Sequence, residues 1–215
     1  MNRSKVIALA TTASLMTASF VVPMSADAHM GGNRNGGHNF KDVNDRHSHH
    51  ASIYKLADRQ VIKGYKDGTF RPNQQVTRGQ VASIIANVLD LDTENVSDPG
   101  FLDVTQDNSH YRGIAALVEA GILDGYGDGT FRPNEPLTRA QMAKILVKAF
   151  QFQQTGNADT PFIDVGSSEY IDFIITLYEL GITKGTSRST FSPNDPVTRG
   201  QLASFVLRCE EIYNR

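Results

Sequence analysis

Thr77-Arg78-Gly79-Gln80, Thr138-Arg139-Ala140-Gln141 and Thr198-Arg199-Gly200-Gln201 repeat one pattern, each between a loop containing Pro-Asn and an amphipathic apolar run. The Thr-x-x-Gln spacing is that of a capping box: the Thr hydroxyl accepts the amide proton of the third helical residue, and the Gln side chain reaches back to the Thr amide. Each copy therefore opens a helix. Arg78, Arg139 and Arg199 fall at the first helical position, beside amides with no intrahelical partner. A cation there opposes the helix dipole by about 0.3 to 1 kcal/mol at an exposed site. Three repetitions of an unfavourable choice point to an anionic ligand, held by guanidinium and free amides together. Gly79, Ala140 and Gly200 are small enough to let such a ligand approach the backbone. The alternative, in which Thr and Gln only cap and Arg is a solvated surface charge, is favoured by one copy but not by three.

A second signature returns every 61 residues: Phe40-Lys41-Asp42-Val43, Phe101-Leu102-Asp103-Val104 and Phe162-Ile163-Asp164-Val165. Self-similarity at a fixed period signals a repeat architecture. Each unit reads as a lead-in, a first helix, a Gly-rich loop and a second helix. Ile53, Leu56 and Ala57, then Ile114, Leu117 and Val118, then Ile174, Leu177 and Tyr178 give the first helix a buried stripe. Gly121 and Gly181 sit where a helix needs a left-handed C-cap. Gln60 stands there in unit one, where that conformation costs about 1 kcal/mol, which predicts a different ending for that helix.

The second helix buries Val81, Ile84, Ile85, Val88 and Leu89 in unit one. Met142, Ile145, Leu146, Ala149 and Phe150 match them, as do Leu202, Phe205, Val206 and Cys209. Units this short cannot cover such stripes alone, so an all-α, three-unit body with one shared core is expected. Between the helices, Asp-Gly and Pro-Asn mark turns in Gly64 to Asn73 and in Gly125 to Asn134. Unit three loses the Tyr, the Asp-Gly and the following Arg of this loop, which predicts a weaker site there.

The chain opens as a secretory signal, with Arg3 and Lys5, an apolar run from Val6 to Val22, and Ala26-Asp27-Ala28 for cleavage. Residues 1–28 are read as the signal peptide and 29–39 as a flexible Gly/Asn/His-rich leader. Units one, two and three are placed at 40–91, 101–150 and 162–212, joined by polar connectors. No other stretch is apolar enough for a membrane span. Without residues 1–28 the chain holds 19 Lys+Arg against 22 Asp+Glu, an acidic balance that argues against nucleic acid. The one cysteine, Cys209, cannot pair internally and lies on an apolar stripe, so it reads as a small core residue.

Asp124 to Glu135 imitates a calcium loop, but Tyr126 at position three and Pro133 within it break the pattern. His47, His49 and His50 are close enough for a metal tract, yet local packing and capping explain them better. No nucleophile elbow, zinc-protease helix or Cys/His pair is present, so no enzyme and no cofactor are expected.

Phe-x-Asp-Val, an apolar helix ending in Gly-Ile, Gly-Tyr-x-Asp-Gly-Thr-Phe-x-Pro-Asn and Thr-Arg-Ala-Gln together resemble the S-layer homology (SLH) family over residues 40 to about 210. The resemblance implies three tandem helix-loop-helix modules forming a pseudo-threefold trimer around a central helical bundle. It implies inter-module grooves that bind the secondary cell-wall polysaccharide of Gram-positive bacteria through a pyruvylated sugar. The protein would thus be held on the wall without a covalent bond. Arg78, Arg139 and Arg199 would hold the carboxylate, with Thr77, Thr138, Thr198 and Gln80, Gln141, Gln201 around them. Sugar hydroxyls would meet Asp42, Asp103 or Asp164 and the loop at Tyr65, Tyr126, Gly68 and Gly129, although a turn or cap role explains the three Asp equally well. The family's usual Glu is Gln in all three copies, which closes the capping box without negative charge. The alternative is a structural surface protein that assembles with S-layer or other cell-surface proteins.

Overall fold

In a computed structural model of the chain, residues 39–154 and 159–214 are described. The expected signal peptide and nearly all of the leader lie outside them. The described elements are α1 (His50–Asp58), α2 (Arg78–Val88), α3 (Tyr111–Glu119), α4 (Arg139–Ala149), α5 (Ile171–Glu179) and α6 (Arg199–Tyr213). Among the described residues there is no strand, only three isolated bridges between units.

All three capping boxes form as expected. The amides of Gln80, Gln141 and Gln201 donate to Thr77, Thr138 and Thr198 Oγ1 at 3.3, 3.2 and 3.3 Å, and each Gln Oε1 accepts the Thr amide in return. The first helices all end alike. Gln60 takes φ 59° where Gly121 and Gly181 take 69°, so the expected difference in unit one is corrected. The Val61 amide still reaches Leu56 O at 2.9 Å, as Ile122 reaches Leu117 O, and the closing bond compensates the Gln conformation.

No helix packs chiefly against its own unit's other helix. α2 lies on α3, α4 on α5, and α6 returns to α1, so the chain of contacts closes on itself. A backbone ring mirrors this order: Val76 N donates to Val197 O, Val197 N to Leu137 O and Leu137 N to Val76 O, each at 2.9 Å. One continuous core results, with Phe70, Phe131 and Phe191 essentially inaccessible to water. The helices approach closely enough that a Cβ on Gly113 of α3 would stand 2.7 Å from Ser83 Cα on α2. α2 and α4 stop at left-handed Asp90 and Gln151 (φ 51° and 53°), whereas α6 runs on to Tyr213. That extension carries Glu210, which takes both amino groups of Arg59 at 2.7 Å and ties the last unit to the first. Cys209 is fully buried beside it, its thiol pushed well above the ordinary value by burial.

Two of the three seams carry a histidine bonded to a serine: His49 Nδ1 with Ser204 Oγ at 2.8 Å, and His110 Nδ1 with Ser83 Oγ at 2.9 Å. Burial holds both imidazoles below their ordinary value, with His47 and Arg208 adding to the effect at His49. Such a group is neutral in the fold and gains its proton more readily once unfolded. Stability is therefore whole above the unfolded value of 6.5 and is lost progressively as pH falls from there through the lowered folded value. Urea midpoints are expected to fall from about pH 7.5 to about pH 5, and to fall less in a His49→Gln/His110→Gln double variant; equal slopes would refute this assignment.

Candidate functional site

At each seam an Arg at the start of a second helix reaches into the Gly-rich loop of the next unit. Arg78 Nε donates to Phe131 O at 2.8 Å and Nη2 to Asp124 O at 3.2 Å. Arg199 Nε donates to Phe70 O at 2.8 Å and Nη2 to Lys63 O at 2.9 Å. Arg139 Nε donates to Phe191 O at 2.7 Å, but its buried Nη2 has no hydrogen-bond partner. The three are 6, 9 and 3 % exposed respectively, and burial lowers each pKa from the ordinary Arg value. None pairs with a carboxylate among the described residues. Each guanidinium stands instead over a phenylalanine ring, Phe131, Phe70 or Phe191, at 4.5 to 4.6 Å.

Two expectations about this region are corrected. The helix amides are not free for an anion. Arg78 and Gly79 N donate to Glu135 and Pro133 O, Arg139 and Ala140 N to Asp195 and Pro193 O, and Arg199 and Gly200 N to Gln74 and Pro72 O, all at 2.8 to 3.0 Å. The Pro-containing loop of the next unit caps each helix, and the third amide goes to the Thr hydroxyl. The small residues therefore answer to packing: a Cβ on Gly79 would lie 2.8 Å from the His110 ring and 3.0 Å from Pro133 O, and one on Gly200 would press on His49 and Pro72 O. Ala140 is buried at the corresponding place. Second, the altered loop of unit three borders Arg139, not Arg199, which meets the complete loop of unit one.

Asp42, Asp103 and Asp164 each accept two backbone amides with separate oxygens, from Phe70 and Arg71, Phe131 and Arg132, and Phe191 and Ser192, at 2.7 to 2.9 Å. The second residue of each pair is left-handed (φ 60°, 61° and 58°), so the Asp clamps a turn that a non-glycine residue resists. Burial works to raise the Asp164 carboxyl, but the two backbone amides, with Arg139, outweigh it and hold the group below its usual range. Tyr65 and Tyr126 lie at the seams proper. Arg71 and Arg199 stand 3.9 and 5.0 Å from the centre of the Tyr65 ring; Arg132 and Arg78 stand 4.1 and 4.8 Å from that of Tyr126. Gly68 and Gly129 supply the left-handed turn of these loops (φ 82° and 81°), a role that passes to Gly185 in unit three. There Thr186 replaces the Tyr and bonds Ser192 Oγ at 2.8 Å.

The seam of Arg78 opens into a cleft of about 290 Å³ that also draws on Asp124, Tyr126, Gln141, Lys144 and Tyr170. Gln141 Nε2 donates to Tyr126 Oη at 3.3 Å, and Lys144 Nζ lies 3.1 Å from Asp124 Oδ2. Burial raises the Asp124 carboxyl, but Lys144 and Lys148 outweigh it and hold the group ionised. Lys144 and Tyr170 were missed by the sequence reading. The available signal was their departure from the repeat, since the other seams have Ser83 with His110 and Ser204 with His49 at these places.

A closed ring of three repeated helix-loop-helix units, sealed by an Arg at each seam, defines a class of all-α tandem-repeat protein. The S-layer homology domain profile matches residues 39–82, 100–143 and 161–203, and the chain belongs to that family. It is 29 % identical to the surface-layer 125 kDa protein of Lysinibacillus sphaericus over 98 % of this chain and 17 % of the relative. With the S-layer protein EA1 of Bacillus anthracis it shares 30 % identity over its whole length and 24 % of that protein. An uncharacterized cell wall amidase of the same organism is 33 % identical over 71 % of this chain. The chain thus spans about a sixth to a quarter of the S-layer relatives named. The family places it among secreted proteins of the cell surface with a wall-anchoring role. Among the described residues no helix is long and apolar enough to cross a membrane.

Proposed function

We propose that the chain anchors to the cell wall by binding the acidic, pyruvylated sugar of a secondary wall polysaccharide in the cleft where Arg78 of unit one meets units two and three. The observation that carries this reading is the set of buried guanidinium groups with no carboxylate partner. Their charge is held by carbonyl dipoles and aromatic faces, neither of which cancels it, and an anion entering the cleft would complete the pairing. Arg78 has Nη1 left after its two carbonyl bonds. Lys144 would supply a second cation, and the Tyr126 and Tyr170 rings an apolar wall with polar tips. Thr77 and Gln141 set the helix ends on which these groups stand. The seam of Arg199, with Tyr65, would act alike; that of Arg139 would bind more weakly, lacking the Tyr and having its guanidinium shut in. Asp42, Asp103 and Asp164 would act through loop shape. No catalytic step or cofactor is part of this reading, and other S-layer proteins are the second class of partner.

The test is co-sedimentation of the protein with purified Gram-positive walls, beside walls stripped of their secondary polymer and beside a Lys144→Ala variant. Loss of one charge-assisted contact is expected to weaken binding about tenfold. Binding to stripped walls should vanish. Equal binding to stripped walls, or an unchanged affinity in the variant, would overturn the reading.

A further inference from the structure

We propose that unit three carries a second saccharide site, lined by that unit alone, which takes an anionic sugar residue. A cleft of about 540 Å³ lies among Pro161, Tyr178, Gly181, Thr183, Lys184 and Arg188, a volume within the range of small-molecule sites. Glu179 is also at its wall and is engaged within the chain. Arg78, Arg139 and Arg199 do not line this cleft, so it stands apart from the wall-anchoring proposal.

The repeat shows what is special here. Tyr178 occupies the place of Ala57 and Val118, Thr183 that of Ile62 and Leu123, and Arg188 that of Asp67 and Asp128. Two exposed positions thus exchange an apolar or acidic group for an aromatic ring and a cation on one cleft, while the Thr183 hydroxyl is buried and accepts the Gly185 amide at 3.2 Å. In units one and two the Asp pairs with Arg71 or Arg132 at 2.9 and 2.8 Å. Unit three has Ser192 in place of that Arg and a cation in place of the acid, so the pair is gone. Neither Arg188 nor Lys184 makes an ion pair among the described residues. Two cations that border one cleft without an ion pair favour an anion in it.

Tyr178 is 37 % exposed and is fixed by an edge-on contact with Phe162, centroids 5.3 Å apart. A ring held in this way offers a sugar an apolar face with a polar rim. The combination of an aromatic platform and two cations suits a sugar bearing a carboxylate or a phosphate.

The experiment is a titration of the full chain, followed by amide chemical shifts, with digalacturonic acid, with glucose 1-phosphate and with neutral cellobiose. Arg188→Asp and Tyr178→Val restore residues that the other units carry, so both variants are expected to fold; Lys144→Ala is the control for the cleft between units. The expected result is saturable shifts at Tyr178, Thr183 and Arg188 with at least one of the two anions. These would weaken about tenfold in Arg188→Asp and in Tyr178→Val, and persist in Lys144→Ala. The stronger of the two anions identifies the acidic group. Equal shifts with cellobiose, shifts that do not saturate, or shifts unaffected by Arg188→Asp would overturn the proposal. Loss of wall binding in Lys144→Ala with these shifts intact would show the two sites to be independent.

Discussion

Replacing Arg199 by Met is expected to destabilise the fold by about 3 kcal/mol, because two carbonyl oxygens, Phe70 O and Lys63 O, lose a charged donor in a place that water reaches poorly. The same change at Arg139 is expected to cost about half as much. There only Phe191 O loses its donor, and a buried Nη2 that satisfies nothing is removed. Lysine should not rescue either position. The Nε bond and the stacking over phenylalanine both need a planar, branched group, whereas an ammonium is compact and strongly hydrated. Urea denaturation of the Met and Lys variants at both positions measures the order directly. Equal costs at Arg139 and Arg199 would show that the hydrogen bonds do not set the energy of the seams. A triple Arg→Ala variant would disturb folding and binding together, which is why Lys144 is the better probe of binding.

Phe131→Ala should cost about 4 kcal/mol, and Phe131→Leu about half of that, the usual scale for emptying a closed core site. The ring is wholly buried, meets Phe101 at 5.4 Å between centroids and supports the Arg78 guanidinium at 4.5 Å. The midpoint of thermal unfolding should drop by about 8 to 16 °C in the Ala variant. Because the ring is also the floor under Arg78, the Leu variant should fold yet bind cell walls less well. If Phe131→Leu binds as the parent does, the ring has no share in positioning Arg78.

The helices and their caps were legible because both are local. Thr77 and Gln80 are three residues apart, and the apolar spacing of α2, α4 and α6 needs no knowledge of what covers it. Partner choice was not legible. Periodicity identifies Ile53 and Ile114 as buried without saying that α1 lies on α6 and α3 on α2. The same gap misled the reading of the arginines: the argument from the helix dipole assumed open amides, and the carbonyls that close them come from Pro133, Pro193 and Pro72 in other units. It also assigned the altered loop to Arg199 when its neighbour in space is Arg139. Ala82 and Ala86 of α2, both buried, escaped notice because small residues carry little weight in an apolar stripe. Lys144 and Tyr170 lay in view as breaks in the repeat, but their shared cleft is a product of the ring.

The link between α6 and α1 has a consequence for the order of events during secretion. Arg199 and Lys63 are 136 residues apart, and Arg59 and Glu210 are 151 apart, so unit one stays incomplete until α6 has emerged. Topologies dominated by such distant contacts fold slowly, since the loop must close before its contacts can reward it. A chain still threading through the export channel has Phe70 O and Lys63 O without their donor and α1 without its cover. It therefore stays loose until the fifteen-residue helix α6 has crossed, and that helix is the latch that closes the ring on the far side.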